Sequence, residues 1–172
     1  MTDSAGANAL QRFRINVTPS KLSPELGLIP EQTVNEGQPL TVTASATDPN
    51  TGQPLTFSLE PGAPPGVSLD PASGAITWTP TEAQGPGTFT IGIRVNDAGT
   101  PPLSDTKSFT VTVNEVNTPP TVQSVQNQTV DEGAPVTVTV SATDSDLPAQ
   151  TLTFSLEPGA PAGASISATG AF

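Results

Sequence analysis

The stretch LTFSLEPGAPPG, from Leu55 to Gly66, returns as LTFSLEPGAPAG from Leu152 to Gly163, differing only at Pro65 and Ala162. Working outward, Gln32-Thr33-Val34-Asn35-Glu36-Gly37 recurs as Gln128-Thr129-Val130-Asp131-Glu132-Gly133, and Ser45-Ala46-Thr47-Asp48 as Ser141-Ala142-Thr143-Asp144. The offset is about 96 residues and grows by one after Asp144. A fixed period of this kind is the signature of a repeat architecture, in which each period is one structural unit. The same offset sets Phe13-Arg14-Ile15-Asn16-Val17 against Phe109-Thr110-Val111-Thr112-Val113, and Gly170-Ala171-Phe172 against Gly74-Ala75-Ile76. The chain therefore reads as three pieces. Residues 1–21 are the last strands of a preceding repeat plus a linker, 22–118 are a complete repeat, and 119–172 are a truncated next repeat lacking its final strands. A segment of a longer array is expected.

Within the complete repeat the apolar residues alternate with Thr, Ser, Lys and Arg. Leu40, Val42, Ala44 and Ala46 form one run, and Leu55, Phe57 and Leu59 another. Val67 and Leu69, Ile76 and Trp78, Phe89 to Val95, and Phe109 to Val113 give four more. Side chains of a strand point alternately to opposite faces, so period two marks strands with one face buried. With an extended segment from Leu26 to Val34, about seven strands fall in roughly 95 residues. That density, with turn residues between strands, predicts an all-β Greek-key sandwich. The 20 Pro and 15 Gly argue against long helices. Trp78 sits two residues from Ile76 on the same strand face, so it is expected in the core.

Composition excludes several functions. With 5 Lys and Arg against 16 Asp and Glu, the net charge is −11, and phosphate backbones have no basic patch to meet. No apolar run reaches the roughly 20 residues of a membrane-spanning helix. Met1-Thr2-Asp3-Ser4 carries neither the basic nor the apolar stretch of a secretion leader. The chain has no His and no Cys, so nucleophile–base catalysis and soft-metal sites lack their usual residues. It has no Tyr and one Trp, so the exposed aromatic row of a typical sugar-binding surface is missing. The chain is not expected to be an enzyme. On composition alone, the acidic residues read as a solvated surface with Asp and Asn in turns.

Taken together, Val34-Asn35-Glu36-Gly37, Ala46-Thr47-Asp48-Pro49-Asn50, Ala142-Thr143-Asp144-Ser145-Asp146, Ile76-Thr77-Trp78-Thr79-Pro80-Thr81-Glu82, Asp97-Ala98-Gly99-Thr100-Pro101 and Asn114-Glu115-Val116-Asn117-Thr118-Pro119-Pro120 resemble the cadherin-like and Ig-like repeats found in tandem in large bacterial surface and secreted proteins. The resemblance implies Ca²⁺ at the junctions between consecutive repeats. At the downstream junction it would be held by Glu36, Glu82, Glu115, Asn117, Asp144 and Asp146. At the upstream junction the matching residues are Asp48, Asn50 and Asp97. Ca²⁺ takes six to eight oxygens, which two repeats and a linker can supply jointly. At the upstream linker Lys21 stands where Asn117 stands downstream, and a lysine there opposes a cation. The family implies an extracellular or cell-surface structural or adhesive spacer, with neighbouring repeats of the same chain as partners and a cell-surface protein or glycan as a further one. The alternative is a ligand- or carbohydrate-binding accessory module of a secreted multidomain protein.

Overall fold

A computed structural model describes residues 12–16, 20–50 and 52–172. Seven of the first nine strands build a two-layer sandwich, and the other two pair with each other. β1 is Glu25–Leu26, β2 Gln32–Asn35, β3 Leu40–Thr43, β4 Ala46–Thr47 and β5 Leu55–Leu59. β6 is Ser68–Leu69, β7 Ala75–Trp78, β8 Gly87–Asp97 and β9 Ser104–Asn114. One layer is a four-stranded sheet in the order β2-β9-β8-β5, and the other has the order β3-β7-β6. β2 runs parallel to β9, whereas the remaining pairs are antiparallel. The long hairpin β8–β9 is the spine of the first sheet, paired from Gly87↔Val113 to Asn96↔Ser104.

Alternation produces the core directly. Ile91, Ile93 and Val95 of β8 and Phe109, Val111 and Val113 of β9 face inward, while Thr90 and Thr112 lie on the other face. Against them the second sheet presents Leu40, Ile76 and Trp78. Each such aliphatic burial contributes about 1.5–3 kcal/mol. The Trp78 ring meets Phe89 edge to face at 5.2 Å, and its Nε1–H donates to Pro65 O at 3.2 Å. The indole is thus a core residue with its one polar atom satisfied, as its strand phase implied.

Three segments depart from the strand layout expected of the sequence. The segment from Leu26 to Val34 divides between two sheets. β1 pairs with β4, and β2 then crosses to pair with β9. The run from Leu40 to Ala46 breaks at Ala44 and Ser45, where Ala44 N–H donates to Gly74 O and Ser45 O accepts from Gly27. The third case concerns Leu152–Leu156, which repeats the sequence of β5 but forms no strand. β5 is held by its ladder to β8, and residues 119–172 contain no counterpart of β8. What that segment does form is the short pair β10 (Thr121–Val122) with β11 (Ala142–Thr143), and a bridge from Thr139 to Ala171. Both repeat pairings of the sandwich at the same offset.

At the other end, the described residues 12–16 form no strand, and Phe13 is 81% exposed. The rest of the expected N-terminal strand region, residues 1–11 and 17–19, lies outside the described residues.

Candidate metal centre

The C-terminal end of the sandwich gathers carboxylates from three places. Glu36 follows β2 at a tight turn, where Gly37 takes a φ of 69°. Such a positive value suits glycine because it has no Cβ to clash. Glu82 opens a short 3₁₀ turn, Glu82–Gln84, clipped by Gln84 Oε1 accepting from Thr81 N–H and by Gln84 Nε2 donating to Pro65 O. Glu115 leaves the end of β9. One oxygen from each of these three side chains lies within 4.8 Å of the others.

The site has little to neutralise it. Glu36 is 6% exposed and its Oε1 accepts Val116 N–H at 3.0 Å, but its Oε2 has no donor among the described residues. Both oxygens of Glu115 are likewise buried without a donor among the described residues. Burial, then the charges of Glu36, Glu82 and Asp146, push the Glu115 carboxyl above its ordinary value. A buried acceptor without a partner costs free energy, and like charges at this spacing add to that cost. A hard cation would satisfy both deficits. Oxygen-only donors without His or Cys are the ligand set that Ca²⁺ prefers.

Residues beyond Val116 dock onto the same end. Leu147 N–H donates to Glu82 Oε1 at 2.8 Å. Asp146 is 2% exposed, and its Oδ2 accepts Thr118 N–H at 2.8 Å. Asp144 Oδ1 accepts Asp146 N–H at 3.0 Å, so it shapes the turn that carries Asp146. Asn117 Oδ1 accepts from Gln150 Nε2 at 3.0 Å. Of the six residues expected downstream, Glu36, Glu82 and Glu115 form the tight triad. Asp146 lies close enough to act on Glu115 electrostatically, and Asp144 and Asn117 are engaged in the turns around it.

The upstream set forms two groups of contacts, joined through residues 20–22. Asp48 Oδ1 accepts Asn50 N–H at 2.7 Å, and Asn50 Oδ1 accepts Leu22 N–H at 2.8 Å. This is the Asp144–Asp146–Thr118 arrangement one repeat earlier. Asp97 Oδ1 accepts Leu103 N–H at 2.8 Å and Gly99 N–H at 3.1 Å, and Lys21 Nζ lies 3.3 Å from it. Burial opposes ionisation of Asp97, but the Leu103 and Gly99 N–H groups together with Lys21 outweigh it and hold the carboxyl below the ordinary range.

Two glycines have roles that the sequence pattern does not reveal. A Cβ on Gly85 would collide with Glu36 Oε2 and come within 2.9 Å of its Cδ. A Cβ on Gly99 would collide with Lys21 Nζ and Cε. Neither has a φ that demands glycine, so only the tertiary approach explains them.

A profile of the He_PIG family, described as Putative Ig domain, matches residues 19–114. The chain belongs to that family. The He_PIG chain is 38% identical over 127 residues to Chitinase A of Pseudoalteromonas piscicida, an alignment that covers 71% of this chain and 14% of that protein. Among solved structures it resembles human CDH23 EC21-23, with a TM-score of 0.59 and 26% identity, covering 87% of this chain and 53% of that one. Human Protocadherin-24 EC1-2 superposes with a TM-score of 0.50 at 20% identity, over 88% of this chain and 76% of that one. The He_PIG chain thus spans about one seventh of its curated relative and about half of the CDH23 structure. Its cadherin-like, Ig-like sandwich is shared with these structures. No helix among the described residues is long and apolar enough to cross a membrane.

Proposed function

We propose that the chain is part of an extracellular array of sandwich repeats, acting as a structural or adhesive spacer whose downstream junction is stiffened by Ca²⁺. The observation that carries this reading is Glu115, which has two buried, donorless oxygens facing Glu36 and Glu82. The ion would be held by Glu36, Glu82 and Glu115, with Asp146 adjoining and Asn117 and Asp144 completing the downstream set. It would neutralise facing charges and tie the linker and the 146–147 turn to the sandwich end. In the same reading the repeat boundaries fall near residues 22 and 118, and the direct partners are neighbouring repeats.

Calcium titrated into the chelator-stripped 172-residue chain should raise its melting temperature by linkage, about 2.7 kcal/mol of stabilisation at 100 times Kd. Glu36→Ala should abolish the gain. A melting curve indifferent to both Ca²⁺ and chelator would reject calcium and leave the fold untouched.

The relative named Chitinase A supports a second reading, an accessory module appended to a secreted polysaccharide hydrolase. Binding of insoluble chitin by this chain, lost on altering loop residues, favours that reading over a spacer.

A further inference from the structure

The two ends of the sandwich use the same turn, yet one presents three facing carboxylates and the other an ammonium. We propose that Lys21 is a built-in cation, filling the acidic pocket at the upstream end and holding the incoming linker there without metal. The inference goes beyond the calcium reading and does not require it.

Four observations carry it. Lys21 Nζ lies 3.3 Å from Asp97 Oδ1, whose side chain is fully buried, while the lysine side chain is only 25% exposed. The same ammonium donates to Pro101 O, so an anion and a backbone carbonyl converge on it as they would on a metal ion. Gly99 leaves open the space that Nζ and Cε occupy, with Gln53 Oε1 at 3.1 Å from where a Cβ would stand. Finally, Asp48 Oδ2, Gln53 Oε1 and Asp97 Oδ2 are buried acceptors without a hydrogen-bond donor among the described residues. The positive charge beside Asp97 offsets part of the desolvation cost of that carboxylate.

The lysine also belongs to the strap it secures. Asn50 Oδ1 accepts Leu22 N–H, and Asn50 Nδ2 donates to Ser20 O at 3.2 Å, so both neighbours of Lys21 are tied to the Asp48–Asn50 turn. A divalent ion entering here would have to expel a tethered ammonium that never leaves by dilution. The repeat is therefore polar in its ion dependence, closed by its own side chain at one end and by donorless carboxylates at the other.

The test follows backbone amides in the full 172-residue chain, stripped with chelator and then titrated with CaCl₂. In the unaltered chain the amides of Leu22, Asn50, Gly99 and Leu103 should keep their chemical shifts throughout. Lys21→Met retains the stem and removes the charge. Its Leu22, Gly99 and Leu103 amides should exchange at least about tenfold faster in chelator and slow again with Ca²⁺, while Ile91 and Val111 stay protected as a check on folding. Saturable Ca²⁺ shifts at the four amides of the unaltered chain would overturn the proposal. So would unchanged exchange in Lys21→Met, or faster exchange that ignores Ca²⁺, which would reduce Lys21 to an ordinary ion pair. Val116 and Leu147 report the downstream end in the same spectra, so failure of the calcium reading is seen separately.

Discussion

Gly85→Ala separates the candidate metal centre from the fold, because its effect should change sign with the residue at position 36. Gly85 has φ −104° and ψ 147°, a conformation open to any residue. Replacing such a glycine normally stabilises by about 0.4–1 kcal/mol, since the unfolded chain has fewer states to lose. Here the new Cβ collides with Glu36 Oε2 and lies 2.9 Å from Glu36 Cδ. Glu36 must swing out, which breaks its 3.0 Å hydrogen bond from Val116 N–H. A hydrogen bond to a charged group is worth about 1.5–3 kcal/mol. The entropic gain and relief of repulsion within the triad offset part of this, leaving a net loss of about 1 kcal/mol. For a domain of this size that is about 4 °C in melting temperature. Losing a carboxylate should weaken Ca²⁺ on the order of 10–100-fold, the range seen when support of a metal site is removed.

In a Glu36→Ala background the two closest atoms are gone, the Cβ of residue 36 lies at 3.3 Å, and Gly85→Ala should become neutral or stabilising. Four chains, melted in chelator and titrated with Ca²⁺ by calorimetry, complete the cycle. Equal losses from Gly85→Ala in both backgrounds, or wild-type Ca²⁺ affinity in the single variant, would refute the contact.

Two further outcomes are expected. Because burial and its acidic neighbours raise the Glu115 carboxyl, the folded chain binds more protons than the unfolded one from the ordinary glutamate value upward. Without metal, stability should therefore fall as pH rises through that window, and Glu115→Gln should flatten the fall in melts recorded from pH 4.5 to 7. A slope that survives the substitution assigns the dependence elsewhere. Amide exchange should also distinguish two copies of one sequence, with Phe57, whose N–H donates to Pro71 O at 2.9 Å, slow and Phe154 fast. Equal protection at both would show that Leu152–Leu156 finds a partner.

Much of the sandwich was legible because strand period and repeat offset are local, additive signals. Ile91, Ile93 and Val95 face the core for no reason beyond alternation. The failures share a cause, since each depended on a partner distant in sequence. Leu26 and Val34 sit in one extended stretch, but which sheet each joins is decided by Ala46 and Val113. Leu55–Leu59 and Leu152–Leu156 are identical in sequence and differ in structure because only one has β8 beside it. The acidic site was half legible. Glu36, Glu82 and Glu115 could be named by resemblance, while Gly85 gave no sign of its role until the Glu36 side chain was placed against it. Lys21 was visible as a misfit at a linker position, but its contact with Asp97 spans 76 residues and needed the fold.

The crossing of the first strand has a mechanical consequence. β2 is reached from the N-terminal linker and β9 runs out into the C-terminal one, and the two lie parallel from Gln32↔Val111 to Asn35↔Asn114. Tension on the linkers therefore pulls β2 and β9 in opposite directions along their common axis. Their hydrogen bonds are loaded side by side in shear, where an antiparallel pair tugged from one end would peel apart rung by rung. Once the Lys21 contacts and the β1–β4 pair ahead of it have given way, the short parallel ladder at the sheet edge resists further extension.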